Sequence, residues 1–319
     1  MNIVYLGSGG FGVKCLEAIK ASKHIIKLVV TQPSRPAGRG RQSRPTAVRQ
    51  WVSAQGEEIH LIETDDVNST QVFERIAAEK PDLIVVIAFG QKIGNELIKL
   101  PPKGAVNVHA SLLPKYRGAA PVNWAIINGE EKTGISIITL ADKMDAGSIL
   151  SQAQVAIQPG ETAGQLHDRL ADAAVPLLMD TIEQIADGSA IYTEQDHILA
   201  TLAPKLKKSD GFLDFADDAQ SLERKIRGLW PWPGASAVYI SKKAGKRLRV
   251  IITAAETVRS ANPDKLTCGM LDKDLNIICG RDALKVKMIK PDGSDIMDFT
   301  DFVNGRSTKA GDMFTQIEG

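Results

Sequence analysis

Three short apolar runs rich in valine and isoleucine, "NIVYLG", "HIIKLVVTQ" and "DLIVVIAFG", each end in turn residues. Between them "FGVKCLEAIKAS" and "TQVFERIAAEK" carry apolar residues at helical spacing. A strand, a helix and another strand in that order bury their apolar faces together as parallel strands joined by a crossover helix. The chain is therefore expected to be α/β, with a doubly wound, mostly parallel sheet. A fourth run, "GAVNVHA", follows the turn "LPPKG", and "GISIITL" and "ILSQAQVAI" read as later sheet members on either side of "ADKMDAGS". From Thr162 to about Ala186 the spacing predicts one helix, with Thr162 as its cap and Pro176 as a kink. Ligands of such sheets lie beyond the carboxyl ends of the strands, so the chemistry is expected there.

The periodicity fades after Ser189, and 319 residues suit two cores better than one. The reading is a first domain over 1–189, a basic linker over 190–207 and a second domain over 208–319. The second opens with the helical piece "DAQSLERKIRGL" and continues as closely spaced runs, "ASAVYIS", "RLRVIITAAETV", "LNIICG" and "ALKVKMIKP", the pattern of a small barrel or sandwich. With 43% hydrophobic and 24% charged residues the chain has the balance of a folded protein. No apolar run approaches a membrane span and the first residues run straight into a strand, so a cytoplasmic protein with no membrane partner is expected. Cys15, Cys268 and Cys279 lack C-x-x-C spacing and are read as free thiols rather than disulfide or zinc ligands.

The first turn, "GSGGFG", fits G-x-G-x-x-G at Gly7, Gly9 and Gly12. A dinucleotide site also needs an acidic residue about twenty positions on to hold the ribose hydroxyls. The second strand ends "KLVVTQPSR" without a carboxylate, which leaves only Arg35 to meet a ribose phosphate. The glycines are accordingly read as a packing device with no nicotinamide cofactor, and an NADP-binding oxidoreductase stays as an alternative.

The most informative stretch is "NVHASLLPKYRGAAPVNWA". Asn107 and His109 are one residue apart in a strand, so their side chains leave the same face roughly 6–7 Å apart. An amide NH2 beside an imidazole can donate jointly to an oxygen that becomes negative during reaction. Leu112, Leu113 and Pro114 follow directly and form a stiff apolar loop suited to walling a flat heteroaromatic ligand. Asp145, in "KMDAGS", follows the next sheet strand and can return to the same rim, there to pair with a protonated His109 and accept a proton through water. The trio lacks a Ser or Cys nucleophile and metal spacing, which argues against an acyl-enzyme and against a metallohydrolase. What remains is direct transfer: an amine attacks an amide-like carbonyl, Asn107 and His109 stabilise the oxyanion, and Asp145 helps remove the proton of the attacking nitrogen.

Net charge is only +1, but it is unevenly spread. No acidic residue lies between Glu17 and Glu57, whereas Lys20, Lys23, Lys27, Arg35, Arg39, Arg41, Arg44 and Arg49 all do. Lys205, Lys207 and Lys208, and then "KKAGKRLR" with Lys242, Lys243, Lys246, Arg247 and Arg249, continue the basic bias. Arginines among Gly38, Gly40 and prolines suit insertion along phosphates.

"NVHASLLPKYRGAAP" with "MDAG", and also "IVYLGSGGFG", "TQPSRPAGRGR" and "IRGLWPWPGA", resemble the 10-formyltetrahydrofolate-dependent formyltransferases over nearly the whole chain. Within that family the chain is most similar to members acting on methionyl initiator tRNA. The resemblance implies a Rossmann-like catalytic domain, an OB-like β-barrel C-terminal domain and 10-formyltetrahydrofolate as formyl donor; no metal and a monomer are expected alongside. It implies Asn107, His109 and Asp145 as the catalytic trio, and Ser111, Leu112, Leu113, Pro114, Phe89, Gly90 and Gln91 as folate contacts. For tRNA it implies the loop "RPAGRGR", with Arg39 probing the end of the acceptor stem, and the charge reading agrees: Arg35, Arg39, Arg41 and Arg44 of this loop region, with Lys205, Lys207 and Lys208 extending the positive track, are the expected tRNA contacts. Departures are "GSGGFG" where the family has a pattern closer to "GTPDFA", Ala110 for glycine, Ser148 for an acidic residue and Trp230 for Asn. The alternatives are a formyltransferase acting on a small amine such as a purine precursor or amino sugar nucleotide, a folate-dependent hydrolase, and a noncatalytic RNA-binding module.

Overall fold

The computed structural model describes residues 1–37, 42–56, 59–242, 245–260 and 267–317. Among these, the elements run β1 (Asn2–Gly7), α1 (Val13–Lys20), β2 (Ile25–Thr31), β3 (Arg35–Ala37), β4 (Gln42–Arg44), α2 (Ala47–Ala54), β5 (Leu61–Glu63), α3 (Thr70–Ala78) and β6 (Leu83–Ile87). They continue with α4 (Asn95–Lys99), β7 (Ala105–His109), β8 (Arg117–Gly118), α5 (Pro121–Ile127), β9 (Lys132–Thr139), β10 (Ile149–Ala156), α6 (Ala163–Asp187) and β11 (Leu202–Ala203). The last are α7 (Ala219–Gly228), β12 (Ala235–Ile240), β13 (Arg247–Val258), β14 (Ile277–Ile278), β15 (Ala283–Pro291), β16 (Met297–Asp298), α8 (Phe299–Arg306) and β17 (Met313–Thr315).

The chain forms two compact units that are discontinuous in sequence. One comprises Met1–Gly118, Lys132–Ala156 and His167–Ala203; the other comprises Ala119–Glu131, Ile157–Leu166 and Pro204–Gly319. The first unit is built on a seven-stranded sheet in the order β10-β9-β7-β6-β1-β2-β5. β1 pairs in parallel with β2 and β6, β2 with β5, and β6 with β7, whereas β9 and β10 run antiparallel. The sheet is thus Rossmann-like and mostly parallel, with the change of direction at β7. The inner strands β1 and β6 are buried almost throughout, as expected where helices cover both faces of a parallel sheet. α6 is one helix from Ala163, with Pro176 inside it, and Thr162 Oγ1 accepts from Gln165 N at its start.

The glycines of the first turn have a packing reason. A Cβ on Gly12 would lie 2.0 Å from Tyr5 Oη and 2.9 Å from Ile87, and one on Gly7 would lie 2.5 Å from the Tyr5 ring. Tyr5 is fully buried, donates its hydroxyl to Gly12 O at 3.1 Å, and is held neutral by burial, which pushes its pKa well above the usual value. A buried tyrosine from β1 fills the space beside Gly7 and Gly12, and Ala88 stands beside Gly9.

The segment expected as a linker from residue 190 behaves differently. Thr193 bridges to Ile149, Gln195 is buried, Tyr116 N donates to Thr201 Oγ1, and β11 pairs in parallel with β8. The chain therefore stays with the first unit through Ala203, because these backbone and side-chain groups find partners there, and passes to the second unit at Pro204.

The second unit carries an antiparallel sheet in the order β14-β15-β13-β12-β17, with β16 on β15. Bridges from Met270 to Met313 and from Leu271 to Ile277 join its outer strands, so the sheet is a nearly closed barrel. Its core includes Leu222 and Ile226 of α7 and an aromatic group in which Tyr239 meets Phe302 edge to face at 5.1 Å. Cys15 and Cys279 are buried, and burial pushes both thiols up to about 12. Among the described residues no helix is long and apolar enough to cross a membrane.

Gly12→Ala is expected to destabilise the protein by about 3 kcal/mol, since the methyl group meets Tyr5 and Ile87 with no room to yield. Urea unfolding measures it; a loss below about 0.5 kcal/mol, the range of an indifferent surface change, would reject the packing explanation.

Candidate active site

β7 lies between β6 and β9 and presents Asn107 and His109 on one face. His109 is 6% exposed, and its Nε2 lies 2.9 Å from the carbonyl of Tyr116. A carbonyl only accepts, so Nε2 carries a hydrogen and donates it. Nδ1 is left facing Asp145 Oδ2 at 3.6 Å. Asp145 is 12% exposed at its side chain, and Oδ2 also accepts from Gly118 N at 2.8 Å. Among the described residues, Asp145 Oδ1 and the Asn107 carboxamide have no hydrogen-bond partner, and Asn107 is half-buried. The site therefore holds one unengaged amide, one ring nitrogen and one carboxylate oxygen.

Asp145 returns to His109 by way of an antiparallel strand. β9 runs opposite to β7, with Thr139 level with Val106, so the following loop starts in mid-sheet rather than beyond the rim. Asp145 has φ +53°, a left-handed conformation that Asp tolerates better than most residues, and the loop closes against Thr139, which leaves no room for a Cβ on Gly147.

The stretch after β7 is held by buried hydrogen bonds. Ser136, opposite His109 on β9, donates to Ser111 O at 2.6 Å and accepts from Leu113 N at 3.0 Å and Gln152 Nε2 at 2.7 Å. Ser111 Oγ donates to Lys115 O. Leu113 is buried, Leu112 and Pro114 are half-buried, and the Leu113–Pro114 peptide is cis. Phe89 is 2% exposed within the core, and Gln91 uses its amide on Thr64 O and Val67 N. At Ser111, Phe89 and Gln91 the side chain is thus committed to the protein itself. Gly90, with φ +82°, could not carry a side chain without strain and a clash at 2.6 Å with Gln32 Nε2.

Among the residues expected to meet polyanion, Arg35 and Arg44 are exposed and directly opposed across the β3–β4 ribbon. Arg35 also reaches Asp65 at 3.3 Å. Arg39 and Arg41 lie outside the described residues, as does Lys243. Lys205, Lys207 and Lys208 are exposed and belong to the second unit. Trp230 is half-buried and Trp232 is exposed. The sequence reading missed Ser136, Gln152 and Gln195, which act through hydrogen bonds to distant parts of the chain and carry no local motif, and Tyr116, which lies in the stretch after His109 but acts through its backbone carbonyl, a group that no side-chain pattern reveals.

Residues 1–182 match the formyl transferase family and residues 205–307 match the formyl transferase C-terminal domain. The chain belongs to the formyl transferase family. This formyl transferase is 36% identical over 98% of its length to a methionyl-tRNA formyltransferase of Citrifermentans bemidjiense, of which the match covers 95%. It is also 36% identical over 96% of its length to one of Moorella thermoacetica, of which 96% is covered. In fold it is similar to an N-formyltransferase from Helicobacter canadensis solved with folinic acid and dTDP-3-aminofucose, at a TM-score of 0.61 and 15% identity, covering 92% of this chain and 99% of that one. The protein is a formyl-transferring enzyme.

Ser136→Ala in this formyl transferase would leave the buried Leu113 N–H and Ser111 carbonyl unpaired. The expected cost is about 1–3 kcal/mol in urea unfolding. An unchanged midpoint would show that Ser136 does not hold the 111–114 loop.

Proposed function

We propose that the protein transfers the formyl group of 10-formyltetrahydrofolate to the α-amino group of methionyl initiator tRNA, giving formylmethionyl-tRNA for translation initiation, as a cytoplasmic monomer. The observation that carries this reading is the meeting of His109 Nδ1 with Asp145 Oδ2 at 3.6 Å, beside Asn107, which lies on the same strand as His109 and whose carboxamide has no hydrogen-bond partner among the described residues. Near-complete alignment with relatives named methionyl-tRNA formyltransferase supports the choice of acceptor.

The folate is a co-substrate, and the residues present fit a flat ring system. The stiff loop at Leu112, Leu113 and Pro114 supplies apolar surface, while Ser111, Phe89, Gly90 and Gln91 contribute backbone, their side chains being absent or engaged elsewhere. In the reaction, the Asn107 amide and His109 Nδ1–H donate to the formyl oxygen as the amine adds to its carbon. Nδ1 is the ring atom for this task because Nε2 is already given to Tyr116 O. Asp145 Oδ1 receives the proton of the attacking nitrogen through water. The new carbon–nitrogen bond forms, the bond to the folate nitrogen breaks, and that nitrogen takes up the proton that Asp145 received, which returns Asp145 to its carboxylate and balances charge and atoms.

The acceptor reading draws support from the ribbon. Like charges directly opposed across two strands are unfavourable unless something else benefits, and Arg35 opposite Arg44 gives a phosphate two cations at one level. Arg39 and Arg41 fall between them in sequence, and Lys205, Lys207 and Lys208 offer further cations from the second unit.

Asn107→Ala and His109→Ala are each expected to lower the single-turnover rate by roughly 10²- to 10³-fold while leaving folate affinity near its original value. Near-normal turnover in either would remove that residue from the mechanism. Arg39→Ala, and Arg35→Ala with Arg44→Ala, are expected to lower kcat/KM for methionyl-tRNA far more than for a small amine. They are also expected to make log K fall less steeply with log salt, by about one in slope for each phosphate left without its cation. Equal losses with both acceptors would reject the tRNA assignment.

A further inference from the structure

We infer that Gln195, itself oriented by Arg117, is the positioning residue that sets the Asp145 carboxylate against His109. This rests on the role proposed above for Asp145. The residue belongs to the stretch that sequence alone assigns to an irregular linker, yet it is 6% exposed inside the first unit.

Asp145 sits in a left-handed backbone conformation, which a residue with a Cβ keeps only where its surroundings hold it. Gln195 supplies that hold. Its Nε2 donates to the carbonyl of Asp145 at 2.8 Å and to the carbonyl of Gly147 at 2.7 Å, so both amide hydrogens span the turn. Its Oε1 accepts from Arg117 Nε at 3.1 Å and Nη2 at 2.6 Å. The planar guanidinium fork fixes the plane of the carboxamide, and with it the direction of the two donors. Arg117 is steadied in turn by His197, whose Nδ1 lies 2.8 Å from Nη2.

The next residue along β8, Gly118, gives its N–H to the Asp145 carboxylate. One short strand thus grips Asp145 twice, through its carboxylate directly and through its backbone by way of Gln195. β11, only a few residues beyond Gln195, pairs with that same strand and closes the arrangement. Without the carboxamide, the two bonds that span the turn have no substitute, and Oδ2 loses its registration with Nδ1.

A positioning role and a purely structural one separate in a double-mutant cycle on the single-turnover formylation rate, with thermal melting and 5-formyltetrahydrofolate affinity measured alongside. Gln195→Leu is expected to lower the rate about 10- to 100-fold, as a misplaced catalytic group does, with folate affinity and the KM for methionyl-tRNA unchanged within about twofold. In an Asp145→Asn background the same change is expected to cost less than about threefold, because the group it positions is already disabled. Arg117→Met, which leaves both donors of Gln195 in place, is expected to give a smaller loss that likewise vanishes in that background, and it decides the matter if Gln195→Leu does not fold. A near-normal rate for Gln195→Leu, or an equal loss in both backgrounds, overturns the inference alone. A near-normal rate for Asp145→Asn removes the proposed role of Asp145, and the inference with it.

Discussion

His109 stands between a backbone carbonyl that can only accept and a carboxylate that is also an acceptor, and the geometry of the site follows from this. Because Nε2 must donate to Tyr116 O, the ring cannot turn to offer a different nitrogen without leaving a buried carbonyl unpaired. Nδ1 is consequently the one ring atom that faces Asp145, and Asn107 on the same strand is the neighbouring donor. Tyr116 itself has φ +61°, so the carbonyl that fixes the imidazole comes from an unusual backbone conformation next to β8. The arrangement is held by backbone as much as by side chains.

That backbone control has its origin in β7. On one side β7 continues the parallel sheet through β6; on the other it meets β9 running the opposite way. A parallel neighbour would have needed a long crossover connection before the chain could return, whereas an antiparallel one lets the following loop fold back over the strand within a few residues. The loop's path then demands Gly147 against Thr139 and a left-handed Asp145. Opposite His109, Ser136 on the same antiparallel strand anchors the 111–114 loop. The reversal of strand direction therefore positions both the carboxylate and the apolar loop.

Much of the fold was legible from period and punctuation. The Val- and Ile-rich runs became β1, β2, β6 and β7, the long amphipathic stretch became α6, and the later runs became β12, β13, β14 and β15. Elements with weaker signatures were not visible: α8, "FTDFVNGR", buries chiefly Phe299 and Phe302 and has a glycine near its end, while β8 and β11 are strands of two residues defined only by each other. Of the glycines at 7, 9 and 12, the first and last have a packing reason in the bulk of Tyr5 pressing on the turn from its own strand, while Gly9 faces Ala88. The polypeptide from 190 to 203 lacks periodicity because its partners are single backbone and side-chain groups rather than an apolar face.

By itself the sequence determined that the chain would fold as a mostly parallel sheet followed by a small β domain, barrel or sandwich, and that Asn107 and His109 would share one face. Those follow from side-chain period and strand geometry, which are local. Only the tertiary structure decided which nitrogen of His109 faces Asp145, that β9 reverses direction, and that Gln195 lies beneath the turn carrying the carboxylate. Those depend on backbone carbonyls, which carry no residue signature, and on pairings between residues far apart in the chain, whose donors and acceptors have no spacing for a linear reading to detect.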